Sequence, residues 1–444
     1  MTSLTRSTRI ALGVTIGAAA VLSAACHDFL KVQDPGRFSN EALDNITVLT
    51  AVANGVEGQF QQIYDDFVVF TALNSDEVIN SSTWIDWADV STGRIRGDWP
   101  TAPGFATTQD ELLRTRYSAE NAADRLTRVL GADANKSPLM AQVKVYDAWA
   151  DLALGMGYCE SPLVSNGPRA PDTQLYAQSI KKFNDALTVA QAASQQQWVN
   201  FALAGRARAN LLAGNYDAAL ADAQAVPAGF IKQAVYSVNS ATTFPGGQFH
   251  YNRNRSGGLN PRYWSMVDTS NSASGTNPVQ YVKDPWTGTP DVRMAVSHKS
   301  GNVAIGVDNT TKHYAIQKYA DYTNPITLTS KREMNLIEAE VAWRKGDLQT
   351  AIADLNKNRT TIPGGPLPAF DATGLTSQDV EDRLLSERFA ELFVEGHRMT
   401  DLDRFNLVTS VLGAGRARKL PLSRNEILNN PSLKQGEAKC PAIS

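Results

Sequence analysis

Cysteine is scarce in this chain, with three residues in 444, and histidine is nearly so, with five. Those counts exclude a disulfide-framework fold and any cysteine-rich zinc module, and they leave too few scattered imidazoles for a histidine metal centre. An excess of charge of one sign is also missing. With 42 basic against 45 acidic residues the formal net charge is −3, so there is neither the basic stripe of a nucleic-acid binder nor an acidic tail, and no nucleic-acid partner is expected. Beyond the N-terminus there is no long apolar run, which excludes a multi-span membrane protein. What is present is an ordinary globular composition, 43% hydrophobic and 20% charged, with ample chain to bury a core.

The N-terminus reads as an export signal. Arg6 and Arg9 precede the apolar run Ile10 to Ala25, which ends in small residues and meets Cys26. A basic region, a short apolar stretch and a small-residue cleavage site are the marks of a secretory signal, here residues 1–25. Its removal takes away two basic and no acidic residues, moving the net charge from −3 to −5. Cys26 directly after Ala24-Ala25 resembles the lipobox of bacterial lipoproteins, which would make Cys26 a lipidation site and the membrane a partner through several acyl chains; the alternative is a conventional signal with an incidental cysteine. Cys159 and Cys440 then remain, either as one disulfide tying the tail to the body or as two free thiols.

The mature chain is mainly α. Apolar residues recur at helical spacing from Asn40 to about Phe70, and helical patterns follow at about 109–130, 138–154, 175–193, 200–213, 216–225, 332–345, 348–358 and 377–393. Strand-like alternation is sparse, best at Ala304 to Val307 and His313 to Lys318. The segment Ala207 to Ala223 lies on Ala339 to Leu355 without a gap, bringing Gly214 onto Gly346 and Asn215 onto Asp347. Each copy is a helix, a Gly-Asn/Asp turn and a second helix with alanines at the crossing, where glycine supplies a left-handed C-cap. These copies resemble tetratricopeptide hairpins, which stack into scaffolds. Residues 227–330 differ: they are rich in turn residues and poor in period, yet carry interleaved aromatics, which argues for an ordered functional insertion. The expected organisation is a single body over 26–444, with helical scaffold at 40–226 and 331–410 around a loop-rich, ligand-binding insertion.

The order of short motifs resembles the SusD/RagB family of outer-membrane nutrient-binding lipoproteins. Asp28-Phe-Leu-Lys-Val32 with Pro35-Gly36 is similar to the family's mature start, and Tyr117 with Asn121 to its first Tyr/Asn helix. Trp149, Gly157 and Ser161-Pro-Leu-Val164 are similar to its helix and exit. Asp291-Val-Arg293 resembles its Asp-Pro-Arg motif, and Arg332 to Gly346 its Glu-Ala-Glu helix. The most specific stretch is Glu387-Arg388-x-x-Glu391-Leu392-x-x-Glu395-Gly396-His397-Arg398-x-x-Asp401-Leu402-x-Arg404, followed by Leu420-Pro-Leu422 and Asn430-Pro431. The resemblance implies a tetratricopeptide-like scaffold, a glycan or other oligomeric nutrient as ligand, and a SusC/RagA-like TonB-dependent transporter as partner. It also implies an outer-membrane, lipid-anchored and cell-surface location, and no cofactor.

The acid and arginine cluster of that stretch could suggest catalysis or a metal site. Glu387, Glu391 and Glu395 share one helical face, which with three nearby arginines favours an interlocking structural network. His397 and Asp401 lack a third ligand, so no metal is expected. No G-x-S-x-G, H-E-x-x-H, P-loop or dinucleotide fingerprint occurs, so no catalytic residue is assigned. A sugar ring offers an apolar CH face and a hydroxyl rim, which suits exposed aromatics beside polar side chains. Trp84, Trp87, Asp89, Arg96 and Trp99 fall in a Ser/Thr/Gly-rich segment after the first long helix, and Trp264 and Trp286 in the insertion; these seven are the candidate ligand-binding residues, each tryptophan having core packing as its alternative. Trp149, Trp198 and Trp343 lie on helical stripes and are expected in the core. Two other functions compete with a non-catalytic binding protein: an all-α glycoside hydrolase, which needs two carboxylates about 5–9.5 Å apart across a cleft, with Asp86 and Asp89 as candidate acids, and a tetratricopeptide-like periplasmic assembly scaffold.

Overall fold

The computed structural model describes residues 40–95, 103–237, 255–270, 279–298, 305–321, 323–433 and 440. Residues 1–45 form one unit, whose described part holds the helical turn Asn40–Leu43. Residues 46–444 form a second compact unit, mainly helical, to which everything below refers. The helix expected from Asn40 comes in two pieces, the second being Leu49–Leu73, because Asp44-Asn45 between them are poor helix-interior residues whose side chains compete for the backbone. Leu49, Ala53, Val56, Phe60, Ile63 and Phe67 are buried along one stripe of Leu49–Leu73.

That stripe packs in one large core with Pro103–Leu130, Pro138–Gly157, Asp172–Ala192 and Gln196–Leu212. Pro138–Gly157 begins cleanly because Ser137 accepts from the Leu139 amide at 3.2 Å and Pro138 stands at the first turn. Trp149 is buried as expected, its ring stacked 4.9 Å from Phe201, and Trp198 is buried beside Tyr146.

The two hairpins of the sequence repeat are Gln196–Leu212 with Tyr216–Ala225 and Lys331–Arg344 with Leu348–Arg359. Gly214 and Gly346 both have φ of +79°, and the amides of Asn215 and Asp347 bond back to Asn210 O and Ala342 O at 2.8 and 3.0 Å. Though far apart in sequence, the copies share one apolar cluster of Ala207, Leu211, Ala219 and Ala223 with Met334, Ile337 and Val341. Arg208 donates to both oxygens of Glu333, at 2.6 and 2.7 Å, across the junction. This is the tetratricopeptide-like scaffold that the repeat announces.

Short strands run before and between the hairpins. β1 (Val78–Asn80), β2 (Glu160–Pro162) and β3 (Arg169–Pro171) precede the first hairpin; β4 (Ile231–Ala234), β5 (Gly257–Leu259), β6 (Gln280–Lys283), β7 (Pro290–Ser297), β8 (Ala315–Ile316) and β9 (Ile326–Ser330) follow it. β4 and β9 pair antiparallel, so the stretch between them leaves and re-enters the scaffold at one place. β6, β7 and β8 form a small antiparallel sheet. β1 pairs with β5, with Val78 opposite Leu259 and Asn80 opposite Gly257. His313 to Lys318 contains β8 but then turns into a 3-10 segment; of 304–307, Ala304 lies outside the described residues and Ile305 makes a lone bridge to Lys312. Cys159 and Cys440 are joined as a disulfide, Cα to Cα 5.8 Å.

Candidate functional site

The segment after the first long helix is more ordered than its composition suggests: Ile85–Thr92 is a helix, closed by Gly93 in the left-handed conformation. It starts from a polar turn in which Asn80 Oδ1 accepts from the Ser82 amide and Ser82 Oγ accepts from the Trp84 amide, at 3.1 and 3.2 Å. Trp87 and Val90, three apart, anchor it in the core. At eight residues it shows too little period to stand out among serines and threonines. Trp87 is therefore packing, 6% exposed and edge-on to Phe70 at 5.9 Å, whereas Trp84 caps the helix, 40% exposed and edge-on to Trp87 at 5.2 Å. Asp89 is half-buried on the same helix. Arg96 and Trp99, like Cys26, lie outside the described residues.

β5 carries the insertion onto this segment. Ser81 donates to Ser256 O and Arg255 O, and the Asn260 amide donates to Glu77 O at 3.0 Å. The 3-10 turn Pro261–Met266 follows, capped by Asn260. Its Trp264 is half-buried: the indole N–H donates to Leu259 O at 2.8 Å, and one ring face lies 5.6 Å from Tyr314, itself stacked on His298. Trp84 and Trp264 thus rise from the opposite ends of one three-residue β1–β5 ribbon. Gly258 makes the ribbon's close approach feasible, since a Cβ there would meet Tyr314 O at 2.9 Å.

Trp286 sits elsewhere, in the β6–β7 turn held by Asp284, whose carboxylate accepts from the Thr287 amide and hydroxyl. It is 39% exposed, edge-on to Phe370 at 6.2 Å, with the Arg383 guanidinium over its ring at 4.3 Å. Between the turns that carry Trp264 and Trp286 lies a cavity of 270 Å³, lined among others by Arg262, Tyr263, Met266, Pro285, Phe389 and Arg398. Neither tryptophan lines it, but residues beside each do. Trp84, Trp87 and Asp89 stand on or beside the short helix at one end of the ribbon, Trp264 follows the other end, and Trp286 sits in a separate turn.

Tyr263, one of the interleaved aromatics of the insertion, and Phe389 are not among the candidate residues read from sequence. Tyr263 stacks on Phe389 at 4.7 Å and donates to Asp76 at 2.8 Å; Arg398 donates to both oxygens of Asp76, at 2.6 and 2.9 Å. Burial alone would raise the Asp76 carboxyl, yet the Arg398 guanidinium and the Tyr263 hydroxyl hold it below the usual carboxylate range. Next to it, Glu77 is buried, accepting from the Val394 amide at 2.7 Å and from the Ser75 hydroxyl at 3.4 Å, and burial pushes it up to about 8. The Arg398 motif position was the one signal in the sequence for this pair.

The acid and arginine cluster is a paired network. Glu387 accepts from Arg293 and Arg359 at 2.8 and 2.6 Å; Glu391 accepts from Arg332 and Arg293; Asp401 accepts from Arg388 and Arg404; Lys318 reaches Glu395 at 2.9 Å. His397 is buried beside it, and burial, with Arg208 adding, holds its ring well below the ordinary histidine value. Asp86 and Asp89, the acids that a hydrolase reading would use, stand one turn apart on a single helix; burial raises Asp86. Trp343, expected in the core, is only half-buried: its N–H donates to Ser377, and with the turn 214–218 it lines an open groove of 820 Å³. Its exposure follows from its place in the last turn of a scaffold helix, where the stripe runs out.

The arrangement is a helical-hairpin scaffold that presents exposed aromatics on short loops, a fold that by itself names no function. Residues 242–430 match the SusD family model. A SusD-like protein of Formosa agariphila is 30% identical over 162 residues, which make up 34% of this chain and 29% of that relative's length. A SusD superfamily protein of Bacteroides vulgatus superposes with a TM-score of 0.67 at 14% identity, over 88% of this chain and 98% of the other. A laminarin-binding SusD-like protein superposes with a TM-score of 0.63 at 17% identity, over 88% and 99%. The resemblance read from the motifs is borne out: residues 242–430 match the SusD family model, and the fold matches that of solved SusD superfamily structures.

Proposed function

We propose that this protein is a non-catalytic, lipid-anchored binding protein of the outer membrane, which captures a glycan or other oligomeric nutrient at the cell surface and passes it to a SusC/RagA-like TonB-dependent transporter. Cys26 is the proposed lipid site, and the stretch 227–330 the proposed ligand-binding insertion. The observation that carries the reading is the pair of tryptophans, Trp84 and Trp264, raised from the two ends of the β1–β5 ribbon. Rings held in place by helix and strand need little ordering when a ligand stacks on them, so a flat sugar face would be bound by apolar contact and oriented by the polar rim. Asp89 is assigned to that rim, and Trp286, Arg96 and Trp99 are proposed as further ligand contacts. The laminarin-binding neighbour supports a glycan as the ligand class. Among the described residues no helix is long and apolar enough to cross a membrane, which is compatible with a lipid anchor.

Titrating a glycan panel while following tryptophan fluorescence and new reducing ends tests the proposal. Saturable quenching without product, lost in Trp84→Ala or Trp264→Ala, is the expected result. Release of reducing ends that is abolished by Asp86→Asn or Asp89→Asn would replace it with a hydrolase.

A further inference from the structure

Most of the buried guanidinium groups of this protein are committed to carboxylates: Arg208 to Glu333, Arg359 to Asp284 and Glu387, Arg398 to Asp76. The cations beside the exposed aromatics of the insertion behave differently. Lys312 Nζ lies 5.9 Å from the centre of the Trp264 ring, and the Arg383 guanidinium 4.3 Å from that of Trp286. Arg262, exposed at the mouth of the cavity, stands two residues before Trp264. Among the described residues none of the three has a carboxylate within ion-pair distance.

Three acids of this region make their hydrogen bonds with other groups. Asp308 accepts from the Thr310 and Thr311 amides and from the Thr311 hydroxyl. Asp379 accepts from the Thr376 amide and hydroxyl, and offers Arg383 only its main-chain oxygen, at 2.8 Å. Asp76 is taken by Arg398 and Tyr263. Among the described residues, each of the two tryptophans therefore has beside it a cation with no carboxylate in ion-pair contact, although the charge of Asp379 still acts on Arg383.

We infer that the ligand is an anionic glycan, a polymer whose pyranose rings bear a carboxylate or a sulfate ester. The inference rests on the glycan reading and specifies its ligand. A ring CH face meets the indole while the anionic substituent meets the guanidinium or ammonium, and a guanidinium fork matches either oxyanion in bidentate geometry. The chain's small net negative charge does not oppose this, since at physiological salt charges more than about 8 Å away are largely screened and local cations decide.

The test uses matched probes: oligogalacturonates with their methyl esters, and carrageenan oligosaccharides with their desulfated counterparts, titrated into the full chain at low and high salt. The charged member of one pair should bind about tenfold tighter than its neutral counterpart at low salt, with the ratio shrinking as salt rises. Preference within the first pair identifies a uronate, and within the second a sulfate ester. Lys312→Gln and Arg383→Gln should each bring the charged oligomer towards the affinity of the neutral one, and Arg383→Lys should recover part of it. Equal or tighter binding of the neutral members would overturn the inference and leave the glycan reading standing. Binding of no member of the panel would overturn both. Joint loss of charged and neutral binding in both variants, at unchanged melting temperature, would mark these side chains as supports of the rings and also overturn the inference.

Discussion

Arg416 donates from its guanidinium to the main-chain oxygen of Ser91 at 2.8 Å and to that of Asn74 at 3.3 Å, so a side chain near the C-terminus caps the helix Ile85–Thr92 that carries Trp84 and Trp87. A cation at a helix C-terminus satisfies orphan carbonyls and complements the helix dipole. Gly93 leaves room for it, since a Cβ at Gly93 would collide with the Arg416 side chain. Arg416→Ala should cost about 1.5–3 kcal/mol, the range for hydrogen bonds to a charged group, and should weaken ligand binding more than Arg416→Lys does. Melting curves and affinities of the two variants check this; unchanged affinity in Arg416→Ala would show that the tryptophan helix holds its place without the cap.

The Asp76–Arg398 pair holds Tyr263 at the cavity. Removing one partner of a buried, bidentate pair leaves an uncompensated charge, so Arg398→Ala should destabilise the protein by about 3–5 kcal/mol. The double variant Asp76→Asn with Arg398→Met should lose less than the sum of the single changes. Denaturant unfolding of the three variants measures the coupling.

Glu77 makes stability fall as pH rises. Its carboxyl is raised to about 8 by burial, so between its unfolded value, near 4.5, and about 8 the folded state binds the extra proton. Its contribution is therefore present below pH 4.5 and lost as pH rises through about 8, with a slope of up to about 1.4 kcal/mol per unit. Glu77→Gln, which keeps an acceptor for the Val394 amide, should flatten the melting temperature across this window and raise it at pH 8 relative to the parent. An unaltered pH profile would mean that Glu77 is charged when buried.

Gly258 should not tolerate a side chain. Gly258→Ala drives a methyl into Tyr314 O and His313 Nδ1, an overpacking that costs about 1–3 kcal/mol. Because Leu259 accepts the Trp264 indole N–H, the same change should shift the tryptophan emission and lower ligand affinity, both readable in one titration.

The repeat shows what was legible from the residues alone. Gly214 and Gly346, Asn215 and Asp347 and the alanines at the crossings announce two hairpins with the same turn, and both turns close with the same φ and the same main-chain bonds. The strands were mostly not legible. β1 and β5 have three residues each, too few to show alternation, and each exists because the other supplies its partner. The helix Ile85–Thr92 was missed for the same reason: its hold on the core comes from Trp87 on Phe70 and from Arg416, contacts that no local window contains.

Among the candidate ligand residues, the types were readable and the roles were not. Trp84 is the extended cap residue before a short helix and stays largely outward, while Trp87 lies within that helix and joins Val90 in the core. The sequence by itself determined the helical scaffold, the hairpin turns and the family motifs, because periodicity and left-handed glycines are local properties. Only the tertiary structure decided that the two hairpins stack, that Arg398 finds Asp76, and that Trp84 and Trp264 share one ribbon, because each of these depends on residues more than a hundred positions apart being brought into contact by the core.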